Sequence, residues 1–489
     1  MPKSPRQSSK LKATRNDSGK NGEVSDAFSS EENERYQKAW VTDGAWITGL
    51  SGVFCILVLA YVFGTNRYHL HGAPFLKGNI DEQKIDVVLI AIAIVALVMI
   101  VAEMIRLWRF DPKSFIQLDP LIREKQYLAF LLQAVKHYFL LLLLFAACAL
   151  AYRSINEYGY RPSNSYYSPW FRALGYLWSI FVWGGLPYLL LTRAFKCNEQ
   201  ADKKDLALLV EKVLAFLLSR LPFLTHLYRP FDINDKRAAL GLAVKFFFAP
   251  VMTVFLFDNF TSLQNNFDYI ASNLAPNVLA GTYDYNLLGK DLGNICSNII
   301  FTVDVGLAWC GYIVSSRWVD NQTISAEPTW FGWLVCLMSY PPFRVMGGWF
   351  LTGPGEKLYL HIPNQELVAL FGSLMMFSYF LYMLPTIWFG IRFSNLTHRG
   401  IIRKGPFAIV RHPAYAAKNI GWWCVGFPVA IYAGMLHGWG AGMLFIAGLM
   451  FQSCIYYARA ITEERHLSFD PDYRLYCQHV RYRFIPKLV

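Results

Sequence analysis

The sequence predicts an all-α, polytopic membrane protein with about ten transmembrane helices. Three observations carry that expectation. Of the 489 residues, 54% are hydrophobic and only 16% charged, against roughly 25% charged in an ordinary soluble domain. The apolar residues are gathered into long runs: Val87 to Ala102 and Tyr138 to Tyr152 hold no charge between the side chains of Lys, Arg, Asp or Glu. Runs of this kind recur along the chain at the roughly 20-residue length that a bilayer core requires. In lipid, backbone polar groups must be satisfied within the spanning structure, which leaves helices or a closed barrel. Unbroken apolar runs exclude the alternating pattern of a barrel.

Taken in order, residues Met1 to about Arg35 are polar, and a segment that cannot bury apolar surface is expected to stay disordered. It contains no apolar stretch of the kind a signal peptide needs. The expected spans then lie near Ala45–Phe63, Ile85–Leu107, Tyr127–Tyr152, Phe171–Leu191 and Leu240–Phe257. Five more lie near Ile295–Ser315, Trp330–Phe350, Leu367–Phe393, Asn419–Met435 and Trp439–Arg459. The seventh is interrupted by Pro341-Pro342 and charged by Arg344, so a re-entrant or interfacial path is open to it. Leu206–Leu221 sets Glu211, Lys212 and Arg220 among Leu, Val and Phe, the pattern of an amphipathic helix at the interface. This gives a polar tail over 1–40, a helical membrane region over 41–365 and a C-terminal module over 366–489.

Charge orients the spans. Arg106–Lys125 carries five Lys or Arg and Arg193–Arg237 is also basic, whereas Asp258–Gly293 carries only Lys290. The positive-inside rule puts the first two in the cytoplasm and the third outside. The stretch Arg392–Lys418, with six Lys or Arg and no acid, then falls inside, as do both termini. That orientation suits a plasma or inner membrane and the endoplasmic reticulum equally. It also accounts for the net charge of +12 without a nucleic-acid partner. The nine cysteines form no CxxC pair and sit mostly in apolar runs, so neither a disulfide framework nor a metal site is expected.

The C-terminal region carries the chemistry. Lys404-Gly405-Pro406-Phe407 leads to Arg411-His412-Pro413-Ala414-Tyr415, a basic and proline-broken connection between spans. His412 precedes a proline, where regular helix is disfavoured. About fifty residues on come Arg459, Glu463, Glu464 and Leu467, then Tyr473, Tyr476, Arg483 and Pro486. Arg459 and Glu463 are four apart and share a helix face, so a salt bridge between them is expected. Ionisable groups at the end of a span are costly unless paired or functional. Taken singly, the basic residues also read as topology anchors, the glutamates as a solvated helix end and the tyrosines as interfacial anchors.

The ordered set resembles the isoprenylcysteine carboxyl methyltransferases and their relatives, including phospholipid methyltransferases. That signature runs from a Gly-Pro-aromatic step through Arg-His-Pro-x-Tyr, a helical hairpin and Arg-x-x-x-Glu-Glu to paired tyrosines and Arg-x-x-Pro. The likeness covers Lys404 to Pro486, under a fifth of the chain. It implies an S-adenosylmethionine site held by Gly405, His412, Pro413, Tyr415, Glu463 and Glu464. It implies catalytic roles for Arg459, which would orient an acceptor carboxylate or phosphate, and for Glu463, which would hold that arginine. The acceptor would be lipid-like or prenylated and would enter from the bilayer, and no metal is required. The sequence departs from the pattern at Ala417 and at Asp470-Pro471-Asp472, where glycines are usual.

Two other classes compete. Tyr476-Cys477-x-x-Val480-x-Tyr482-Arg483 is similar to the end of sterol reductases, which would imply a nicotinamide cofactor. A non-catalytic transporter or scaffold would use the intramembrane charges Lys245 and Asp304, which otherwise are expected to pair with each other.

Overall fold

The computed structural model describes residues 30–65, 79–159, 166–198, 204–282, 285–343, 359 and 361–488. Residues Met1–Ala39 belong to one compact unit and Trp40–Val489 to a second. Of the expected polar tail, residues 1–29 lie outside the described residues, while Ser30–Gln37 is a short helix.

The second unit is built almost wholly of helices, and nine helices among the described residues are long and apolar enough to cross a membrane. In chain order these and their neighbours are α1 (Ala45–Thr65), α2 (Ile80–Phe110), α3 (Tyr127–Ser154), α4 (Ser168–Phe195) and α5 (Leu206–Leu218). They continue as α6 (Ile233–Tyr269), α7 (Tyr285–Ile313), α8 (Trp330–Leu337), α9 (Gln365–Phe389), α10 (Pro413–His437), α11 (Trp439–Leu467) and α12 (Pro471–His479). The observed helices overrun the expected spans because polar caps start them early. Asn79 caps α2, and Asp232 forms a capping box with Asp235 at the start of α6. α5 is the expected amphipathic helix, tied to its neighbours by Lys212 with Asp232 and Asp235 and by Glu211 with Lys136 and Arg229.

The seventh expected span differs most. Its described part is the eight-residue α8, roughly 12 Å long and too short to cross a bilayer alone, followed by turns over 338–343. Residues 344–350, with Arg344, lie outside the described residues. After α7, Asn321 donates to the carbonyls of Val314 and Ile391, and the strands Ser325–Ala326 (β1) and Thr397–His398 (β2) pair antiparallel. Both contacts hold the chain against the end of α9. The start of α9, Gln365, is 25 residues away and so roughly 37 Å off along the axis, on the opposite face. The stretch between α8 and α9 includes residues outside the described ones, so of the ten expected spans nine have a counterpart among the described residues. The start of α1 packs on the connection that follows α9: Thr42 donates to Ile401 O, and Arg403 holds Asp43 at 2.7 and 2.9 Å.

The main core joins α1, α2, α6, α7 and α9 through Ile56, Ile92, Met99, Phe248, Leu256 and Leu307. Helices approach closely where glycines face backbone; a Cβ on Gly49 would overlap the Ile387 carbonyl of α9. One buried charge cluster locks the site-bearing connection to the first two helices. Glu103, fully buried, accepts from Arg106, from Thr48 Oγ1 at 2.6 Å and from Arg392 Nη2 at 3.1 Å. The upstream helices thus brace the C-terminal region. The division at 365/366 falls inside the compact unit Trp40–Val489, and the cavity described next takes walls from both sides of it.

Candidate functional site

The connection between α9 and α10 is shaped by two left-handed glycines. Gly390, at φ 53°, ends α9 and turns Arg392 back into the bundle. Gly405, at φ 64°, begins the 3-10 turn Gly405–Ala408 at a point where a Cβ would collide with the Trp388 indole. The turn presents the Phe407 carbonyl to Tyr476 Oη, which donates at 2.7 Å and so ties α12 to the turn. The tail then runs back along the motif: Arg411 N donates to Tyr482 O at 2.9 Å and His412 N to Arg483 O at 2.8 Å. Pro413 opens α10, where its missing N–H costs nothing.

α11 continues eight residues past the end expected for the last span, so Glu463 and Glu464 stand on its final two turns. Glu464 is saturated with basic partners. Arg483 Nε donates to it at 2.9 Å, His412 Nε2 lies at 3.2 Å and Arg411 Nε at 3.1 Å. Glu463 is more open: it accepts from Tyr415 Oη and lies 3.7 Å from His412 Nδ1. The His412 and Tyr415 rings stack, with centroids 5.4 Å apart and an interplanar angle of 8°.

Arg459 corrects the expected pairing. Its guanidinium is buried at 3% exposure and does not bridge to Glu463; no carboxylate lies within ion-pair distance among the described residues. It sits instead between the rings of Tyr415 and Tyr456, at 5.0 and 4.9 Å from their centroids. Ser339 Oγ accepts from one nitrogen at 3.2 Å and Asn395 Oδ1 from another at 3.3 Å, while Nε has no partner. The i,i+4 geometry was available, but Glu463 is engaged by Tyr415 and the arginine by the tyrosine rings. The other expected pair, Lys245 with Asp304, is also not formed. Asp304 accepts from Tyr382 Oη at 2.8 Å and Thr386 Oγ1.

Two spaces meet here. A half-open cavity of about 180 Å³ is lined by His412, Pro413, Tyr415, Arg459, Glu463, Tyr473 and Tyr476, and also by Asn395, Arg399 and Glu327. A lateral apolar groove of about 750 Å³ runs between α10 and α11, past Asn419, Trp423, Phe427, Tyr457 and Phe484. Tyr415 and Tyr456 line both. The rings that clamp Arg459 are therefore the partition between a polar pocket and a greasy one. The half-exposed Ile420, Met450 and Tyr457 beside the groove put its mouth on the outside of the helix bundle.

Of the expected cofactor residues, His412, Pro413, Tyr415 and Glu463 face the cavity, whereas Gly405 and Glu464 stand behind it and shape its wall. Ala417 and Asp470 also lie off the cavity. The Ala417 carbonyl accepts from Ser378, and Asp470 caps α12 and holds His398 Nε2 at 2.6 Å. That contact with His398 outweighs partial burial and keeps the Asp470 carboxyl below the usual range. Burial and the neighbouring Arg392 push Arg399 down to about 10. Sequence reasoning missed Tyr456, Asn395 and Ser339. Tyr456 was findable, being three residues before Arg459 on the same helix face; the other two come from distant connections and carry no local signal.

Compared with known proteins, the chain matches no protein-family model, no curated protein and no solved structure.

Proposed function

We propose that this chain is an integral membrane methyltransferase that takes S-adenosylmethionine and methylates a lipid-like or prenylated acceptor, with a carboxylate favoured over an amine. The observation that supports this most is Arg459, a buried cation with no acidic partner among the described residues, held in the partition between a polar cavity and a lipid-side groove. A buried charge is costly unless something pairs with it, and a planar guanidinium suits a carboxylate held by two bonds. An ammonium acceptor would be repelled at the same place.

The donor set fits the cofactor. Glu463 supplies a carboxylate for its ammonium end, and the stacked His412–Tyr415 pair supplies an aromatic face for its base. The cavity's 180 Å³ is smaller than the ~300–1,000 Å³ of ordinary ligand pockets, and the cofactor would extend beyond it, past Tyr415 and Tyr456 into the groove. When bound, S-adenosylmethionine would supply the methyl carbon, which bonds to the acceptor oxygen as its bond to sulfur breaks and the electron pair stays on sulfur. Arg459 would hold the acceptor carboxylate in line, and alignment is most of what a protein adds to such a step. A carboxylate is already ionised at neutral pH, so no general base is needed. The groove would take the acceptor's apolar tail. The face that carries Trp40 and the C-terminal tail is assigned to the cytoplasm on its excess of Lys and Arg.

The test is equilibrium binding of S-adenosylmethionine to the detergent-purified chain and to its His412→Ala and Glu463→Ala variants. Transfer of labelled methyl to a prenylcysteine analogue is followed in parallel. Saturable binding lost in both variants, with transfer to the analogue, is the expected result. Binding of nicotinamide cofactors in place of S-adenosylmethionine would overturn the reading in favour of a reductase.

A further inference from the structure

We propose that a second groove, between α3, α4 and α6, binds a long-chain fatty acid as its carboxylate, with Lys245 as the counterion. The groove holds about 530 Å³, within the range of ligand pockets, ~300–1,000 Å³. It shares no lining residue with the cavity or the groove of the candidate site. Its walls are Leu144, Phe145, Leu177, Phe181 and Phe246, and Lys245 is the one charged residue among the described residues that line it.

Lys245 has no hydrogen bond or ion pair among the described residues, and Asp304, its expected partner, is engaged by Tyr382 and Thr386. Arg399, of the same sign, acts on it. Both a lone intramembrane cation and a like-charged neighbour call for an anion. A second group in the groove also lacks a partner. Trp170 Nε1 is buried with no acceptor among the described residues. Trp170 connects to Lys245 through a continuous aromatic wall: its ring meets Tyr152 at 5.3 Å, and Tyr152 stacks on Phe246 at 4.1 Å.

The depth of Lys245 selects the ligand. Asp235, paired with Lys212 of the interfacial α5, marks the start of the span. Lys245 lies ten residues, roughly 15 Å of helix, further in. A bilayer phospholipid keeps its phosphate at headgroup level and brings two chains. A fatty acid brings one chain and a compact carboxylate that a single ammonium can satisfy.

The experiment uses the full chain in nanodiscs of phosphatidylcholine. A photoreactive palmitic acid, the corresponding alcohol and a photoreactive phosphatidic acid are crosslinked, and the modified peptides are mapped by mass spectrometry. The expected result is saturable labelling of α3, α4 and α6 by the acid alone. Lys245→Met should weaken it by about tenfold or more, the scale of one charged hydrogen bond, while Lys245→Arg retains it. Equal labelling by acid and alcohol in the wild-type protein would overturn the proposal whether or not the Met variant folds. Preferential labelling by phosphatidic acid would overturn the choice of a fatty acid.

Discussion

The Arg459 guanidinium lies over the Tyr415 ring, 5.0 Å from its centroid, and the same tyrosine donates its hydroxyl to Glu463. One aromatic ring thus separates a cation from the carboxylate four residues along its own helix. An arginine and glutamate that would ordinarily neutralise each other are kept apart, each available to a ligand.

This separation predicts opposite effects on stability and turnover. Arg459→Met removes a buried charge with no acidic partner among the described residues, so the ligand-free protein should melt at an equal or higher temperature. With an anionic acceptor, kcat/KM should fall by about 30-fold or more, roughly 2 kcal/mol, as expected when one side of a desolvated charge pair is truncated. Thermal melts and acceptor kinetics on one preparation check both. A variant that melts lower and keeps its kcat/KM would assign Arg459 a purely structural role.

The two glutamates should separate in the same way. Glu464→Gln breaks contacts to Arg411, His412 and Arg483 and should cost about 3 kcal/mol of stability. Glu463→Gln should leave the melting temperature within the ordinary scatter of surface changes, about 0.5 kcal/mol, and weaken S-adenosylmethionine binding. Calorimetric titration beside thermal unfolding distinguishes them.

Acid should loosen the tail first. Asp470 has a lowered folded-state pKa because His398 holds it. Its contribution is therefore fully present above the unfolded carboxyl value of about 3.9 and is lost as pH falls through the folded value. Asp470→Asn should flatten that acid limb while leaving its slope above pH 6 unchanged. Hydrogen exchange of α12 against pH reads this directly; an unaltered acid limb in the variant would show that the contact carries no stability.

The brace between the two halves is testable at Glu103. Glu103→Gln leaves Arg392 and Arg106 sharing a buried site without a full negative charge and should cost about 3–5 kcal/mol. The loss should reach the connection before α10, because Arg392 belongs to it. Limited proteolysis within 393–412, faster in the variant than in wild type, is the expected readout.

Much of this was legible in the sequence because the membrane imposes strong local rules. An apolar run long enough to span must be helical, so α1 to α4, α6, α7 and α9 to α11 could be read before any contact was known. Pro413 showed only that His412 lies outside regular helix, and the expected span began at Asn419, six residues inside the observed α10; the setting of Lys212 and Glu211 among apolar residues marked α5. The seventh expected span was less legible, since the Pro341-Pro342 break left length and hydropathy without a clean helix to report.

By itself the sequence determined the class of fold, the order of its spans and the cluster of His412, Tyr415, Arg459, Glu463 and Glu464 at one end of the chain. Only the tertiary structure decided which of these charges pair. Helical spacing made Arg459 and Glu463 neighbours, but the energy of a buried charge depends on everything around it. Tyr415 arrives from α10, Asn395 and Ser339 from two separate connections, and Arg483 from the returning tail. Lys245 and Asp304 were split apart by the same cause. Helix periodicity is a property of neighbours along the chain, whereas desolvation and pairing are properties of neighbours in space.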